Sequence, residues 1–282
     1  MEFPNKELPS RGLPVSGNLG LAYWLSVAIA VIMIAVSLAG LLYQQEIYPA
    51  EELLLAFVPN DVVNLVIGAP ILLISIWLVR RGNLVGLLFW PGALLYVLYT
   101  YLVYVIGMPL NAVYLLYLAL VTLSAYTMVG VITSIDGKVV KRQLSGAVPE
   151  RAAAGVLAGL GSLFFLRVIA VIVETLSKQT AVTSTELALL ATDFMITPAW
   201  IIGGMLLWRR KELGYVTGVG LLFQSSMLFI GLILIMLIQP LLTGAPFMPV
   251  DIVVVFIMGL VCFIPFGLFL RGALYQRSSP EA

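Results

Sequence analysis

Runs of predominantly apolar residues, each long enough to cross a lipid bilayer, recur eight times along the chain with only short polar breaks between them. A hydrocarbon core of ~30 Å is crossed by about 20 apolar residues in an α-helix. Inside it every backbone N–H and C=O must be satisfied within the segment, which makes a helix the form for runs of this length. The predicted spans are Leu19–Tyr43, Asp61–Val79, Leu84–Ile106, Leu110–Ile132, Ala152–Leu176, Glu186–Trp208, Leu213–Ile238 and Val250–Leu270. The fold class expected is therefore all-α, a polytopic integral membrane protein with eight transmembrane helices.

Composition supports the lipid solvent: 61% of residues are hydrophobic and 10% charged, against roughly 25% charged in soluble domains. The first run needs a separate decision, because Ser37-Leu38-Ala39 resembles a signal-peptidase site. It exceeds the ~7–15 residues of a signal core, and Met1–Gly17 mixes acidic with basic residues, so it reads as a retained helix. Cleavage and secretion is the alternative.

Basic residues set the orientation. Lys6, Arg11, Arg80, Arg81, Lys138, Lys141, Arg142, Arg151, Arg209, Arg210, Lys211, Arg271 and Arg277 fall on one side of an eight-span arrangement. Lys178 alone falls on the other, and Arg167 lies within a span. Loops rich in Lys and Arg stay cytoplasmic. Both termini are then cytoplasmic, in a cell-membrane protein whose outer loops carry Glu46, Glu51, Glu52, Glu174 and Glu186.

Arg80-Arg81 and Arg209-Arg210 stand 129 positions apart, and at that offset Asn64 matches Asp193. Pro70 and Pro198, and Trp77 and Trp208, fall within one or two residues of the same registration. Such self-similarity predicts two four-helix halves, residues 1–135 and 152–282, joined by a basic connector at 136–151. Four spans is an even number, so the halves would be parallel and related by an axis along the membrane normal. Gly155 with Gly159, and Gly214 with Gly218, have the spacing that lets membrane helices approach closely. Pro70, Pro91, Pro198 and Pro265 are expected inside spans, as kinks.

Intramembrane charge points to the candidate site. Arg167 and Asp193 lie at matching depth on consecutive spans joined by a short loop, which predicts that they touch. Charges at such depth cost ~2.5–3.5 kcal/mol on the insertion scale, so they pair or line water. Asn64, Glu174 and Gln224 are expected beside them as secondary liners. Thr192, Thr197, Ser225 and Ser226 lie at similar depth. Asp61 and Asp251 open their helices, where capping and the helix dipole account for a carboxylate. Asp61 remains a second candidate liner. Most tyrosines read as a headgroup belt. Tyr96 and Tyr99 lie deeper, where aromatic faces beside acidic groups would suit an organic cation.

Much is excluded. There is no histidine and one cysteine, Cys262, so His-based proteolysis, ordinary haem ligation and most catalytic zinc sites are set aside. No phosphate-binding Gly-Lys loop occurs, no cofactor or metal is implied, and a net charge of +1 gives no reason to expect nucleic acid. The leading expectation is binding or translocation of a small solute, cationic in one version, through an outward-facing polar cavity between the halves. Arg167, Asp193, Asn64, Glu174, Gln224, Asp61 and Tyr99 would line or gate it. The rival is a non-transporting subunit or sensor, whose buried charges lock helix packing and whose partner is a membrane protein or a second copy. An intramembrane enzyme ranks third, because no base–nucleophile pair can be assembled.

Overall fold

A computed structural model describes residues 12–275, with Tyr275 described by its backbone alone. Lys6, Arg11, Arg277 and most of both polar tails lie outside these residues. Among the described residues, eight helices are long and apolar enough to cross a bilayer, and the protein is a multi-pass membrane protein. They are α1 (Gly20–Leu42), α2 (Glu51–Arg80), α3 (Leu84–Gly107), α4 (Tyr114–Ser134), α5 (Glu150–Lys178), α6 (Ser184–Trp208), α7 (Glu212–Thr243) and α8 (Pro249–Tyr275). A short helix, Gly137–Leu144, lies in the connector; the Asp136 carboxylate caps it by accepting from the amides of Lys138 and Val139.

The helices alternate in direction. At one end, here the basic end, the Arg210 guanidinium meets Glu150 at 2.8 Å and Val15 bridges Ile135. Arg80 lies over the ring of Tyr23 there, and Arg81 over that of Trp77. At the opposite, acidic end, Glu52 accepts from the amide and hydroxyl of Thr185, which ties α2 to α6.

One expectation about α2 is corrected. Its helix begins at Glu51, ten residues before Asp61, so Asp61 is interior and 1% exposed rather than a cap. Glu51 and Glu52 in the first turn complement the helix dipole. Pro59, which deprives the Leu55 carbonyl of its intrahelical donor, is tolerated because the Gln239 amide of α7 donates to that carbonyl at 3.0 Å. Further on, Asn64–Gly68 forms a π-helical turn just before Pro70, and the helix then continues.

Central to the bundle are α3, buried over most of its length, and the first two-thirds of α7. They cross where Gly92 meets Gly220: a Cβ on Gly92 would overlap the Gly220 carbonyl, and one on Gly220 would sit 2.9 Å from the Leu88 carbonyl. Gly214 likewise lets α7 reach the backbone of α6. Gly159, in contrast, faces open space, and a Cβ on Gly155 would meet only the ring edge of Trp208, at an ordinary 3.7 Å. The close approach of α5 to α6 runs instead through Gly161 and Gly204, whose Cβ atoms would meet backbone of the partner helix. Spacing identified glycines able to pack but not the face that would be turned inward.

Packing is uneven. No residue of α5 is buried beyond Val168, none of α7 beyond Gly231, and none of α8 before Gly259. The acidic-end portions of these three helices are thus only partly covered by protein. In the first half that same level is filled by Tyr48, Phe57, Tyr101, Tyr104 and Tyr117, all fully buried. With 32 and 29 residues, α7 and α5 are among the longest helices.

Candidate functional site

The site lies where the second half stops being tightly packed. A cavity of about 400 Å³ is bounded by α2, α3, α5, α6 and α7, within the ~300–1,000 Å³ of ordinary ligand pockets. Phe57 of α2, Tyr96 and Tyr99 of α3, Phe164 of α5, Trp200 of α6 and Phe229 of α7 form an aromatic shell. Leu189, Leu228, Leu232 and Ile235 continue the apolar wall. A predominantly polar lining was expected; the wall is instead mainly apolar, with Asn60, Thr100 and Thr185 as single polar groups and the charged side chains gathered in one cluster.

That cluster is Arg167, Asp193 and Tyr99. The contact expected between Arg167 and Asp193 is present, with Nη1 3.7 Å from Oδ2. The Tyr99 hydroxyl donates to Asp193 Oδ1 at 2.8 Å. Asp193 is nearly enclosed, its side chain 10% exposed, while the Arg167 side chain is 55% exposed. The two differ in satisfaction as well as in burial. Both carboxylate oxygens of Asp193 are engaged, whereas the guanidinium, which carries five N–H donors, has one long contact. Thr197 Oγ1 donates to the Asp193 carbonyl at 2.7 Å, an i−4 bond one residue before Pro198. Trp200 is held by its Nε1–H donating to Gln224 Oε1 at 2.7 Å.

The other expected liners are dispersed. Gln224 lies behind Trp200 and touches the site through it. Asn64 is buried in the π-helical turn, off the cavity, and neither its amide nitrogen nor its oxygen has a partner. Glu174 is exposed and pairs with Lys178 at 2.6 Å, so it does not join Arg167. It lies about two helical turns beyond Arg167 on the same face of α5, past the residues that line the cavity.

Asp61 belongs to a second cluster. Its carboxylate accepts from the hydroxyls of Tyr48 and Tyr104, the latter at 2.9 Å. Tyr104 packs at a tilt against Tyr101 and Tyr117, and the Tyr101 hydroxyl is 3.5 Å from Ser37 Oγ. Burial, with Asp61 beside it, holds the Tyr48 phenol far above the ordinary tyrosine range, so it remains a donor. Gly40 makes the arrangement fit, because a Cβ there would overlap both the Asp61 carboxylate and the Tyr48 hydroxyl. None of the three ion pairs among the described residues includes Asp61.

Sequence reasoning missed Phe164, Trp200, Phe229, Leu232 and Asn60, which also line the cavity. Nothing in an all-round apolar helix marks which face points into a cavity. Comparison with protein-family models, curated proteins and solved structures finds no match for the chain.

Proposed function

We propose that this protein binds, and in binding helps translocate, a small solute in the cavity between two parallel four-helix repeats. It is placed in the cell membrane with its basic end, and both termini, in the cytoplasm. One observation carries the reading: a ligand-sized cavity is bounded by helices of both halves, with an enclosed carboxylate and a half-exposed guanidinium on its wall.

Helix neighbours support the repeat. The contact of α1 with α4 has its counterpart in α5 with α8, and α2 with α3 in α6 with α7. Across the halves, α3 meets α6 as α7 meets α2. Gly92 and Gly220, where α3 and α7 cross, occupy equivalent positions to within a residue of the sequence offset. That is what a pseudo-two-fold axis through the crossing would produce. The basic residues gathered at one end support the orientation. An organic cation fits the site less well than first expected, because its one carboxylate already faces Arg167 and Tyr99.

Thermal denaturation of the purified protein against small amines, sugars, carboxylates and amphiphiles tests the reading. A ligand at 100 times its Kd adds ~2.7 kcal/mol to the folded state, and Asp193→Asn combined with Arg167→Gln is expected to abolish the shift. If no solute of any class shifts the transition and Asp193→Asn melts far lower, the cluster only locks helices together, and the solute reading is wrong.

A further inference from the structure

We infer that the ligand of this cavity is a single-chain anionic amphiphile, its carboxylate or phosphate head held by Arg167 and its apolar tail lying along the wall of α7; this rests on the cavity being the binding site proposed above. Three observations converge. The first is an imbalance of hydrogen-bonding capacity. Asp193 has both oxygens engaged, by Tyr99 at 2.8 Å and by Arg167 at 3.7 Å, while the guanidinium retains most of its donors. What the cluster lacks is an acceptor. An incoming amine would compete with Arg167 for a carboxylate already met, whereas an anion completes the fork of the guanidinium, a planar match to carboxylate and phosphate.

The second observation is the wall. Away from Arg167 and Asp193 the cavity is faced by Phe164, Leu228, Phe229, Leu232 and Ile235, with Gly231 leaving room beside Tyr96. A ligand carrying a charge at every point would leave that charge against hydrocarbon. One with a single polar head and an apolar body leaves none unpaired.

The third is access. The cavity sits at the level of Arg167, next to Val168, the last buried residue of α5, and reaches α7 around Gly231, the last buried residue there. Beyond both points the helices are covered by protein only in part. In a bilayer this stretch is bathed by acyl chains, so an amphiphile reaches the site sideways without its tail crossing water.

The test uses the full-length protein in a neutral maltoside detergent, with oleate, oleoyl-lysophosphatidate and oleylamine as probes, read by thermal denaturation and by native mass spectrometry. Two variants separate head from tail. Arg167→Gln combined with Asp193→Asn removes the head site without leaving a lone charge. Leu232→Trp fills the apolar wall and leaves the ion pair intact. Oleate and lysophosphatidate are both expected to raise the wild-type Tm by several degrees and to bind stoichiometrically, oleylamine to do neither. Each variant should weaken oleate at least tenfold, and Arg167→Lys should retain it in part. If one anion acts without the other, the head is narrowed to carboxylate or to phosphate and the inference stands. Oleate binding unchanged in both variants is partition into the micelle and overturns the inference, as does a larger effect of oleylamine. A water-soluble solute that shifts Tm through Asp193, with no response to oleate, also overturns it and leaves the solute reading standing. No response to any ligand removes both.

Discussion

Gly40 shows how one missing methyl group can decide a buried polar cluster. It is the space it leaves that lets Asp61 meet Tyr48 and Tyr104 at once. Gly40→Ala should force the carboxylate off its donors and cost on the order of 1–3 kcal/mol, the usual range for overpacking. Gly155→Ala and Gly159→Ala, where a Cβ has room, should instead stabilise by about 0.5–1 kcal/mol through helix propensity. Thermal denaturation of the three variants side by side checks both signs; equal losses in all three would contradict the packing described. At this scale the sequence was informative in part. The meeting of Arg167 with Asp193 followed from depth alone, since two charges at one level on consecutive helices have few other partners. Asp61 was misplaced because Glu51–Asn60, with its paired acids and Pro59, reads locally as a loop. The compensating donor, Gln239, is 184 residues away and invisible to any local reading.

Among the elements, α2 and α7 depend on each other through that donor. Gln239→Leu leaves the Leu55 carbonyl without a partner beside Pro59, at ~1–3 kcal/mol for an orphaned buried acceptor. The expected outcome is a lower Tm in Gln239→Leu and near wild-type behaviour in the double variant Gln239→Leu/Pro59→Ala, where the helix supplies its own donor. Failure of the second change to restore stability would mean that Gln239 acts elsewhere. The eight helices themselves were legible, with ends displaced by a few residues, save at α2. Length and hydropathy determine that a segment crosses the bilayer. They leave its rotation undetermined, which is why the aromatic shell of the cavity was not foreseen.

For the whole molecule, the separation of a basic from an acidic end leads to a labelling experiment. Cys262 is buried and is the single cysteine of the chain, so an introduced thiol reports its own position against a low background. In intact cells a membrane-impermeant maleimide is expected to label Gln179→Cys and to spare Lys138→Cys, with the reverse in inside-out vesicles. The opposite pattern would invert the orientation proposed here. The two halves are unequal in cohesion: the first is closed at its acidic end by tyrosines, while the second is packed at the basic end and loosely covered at the other.

The length of α7 has a consequence for the lipid around it. At 1.5 Å per residue its 32 residues extend ~48 Å, well beyond a hydrocarbon core of ~30 Å, and such excess is taken up by tilt or by thickening of the bilayer. Since α7 is fastened at Gly92–Gly220 and only partly covered beyond Gly231, its acidic-end portion is where the adjustment falls. A thinner membrane would lean that portion over and a thicker one would straighten it. The breadth of the cavity that α5 and α7 help to bound thereby becomes a function of the membrane's own dimensions.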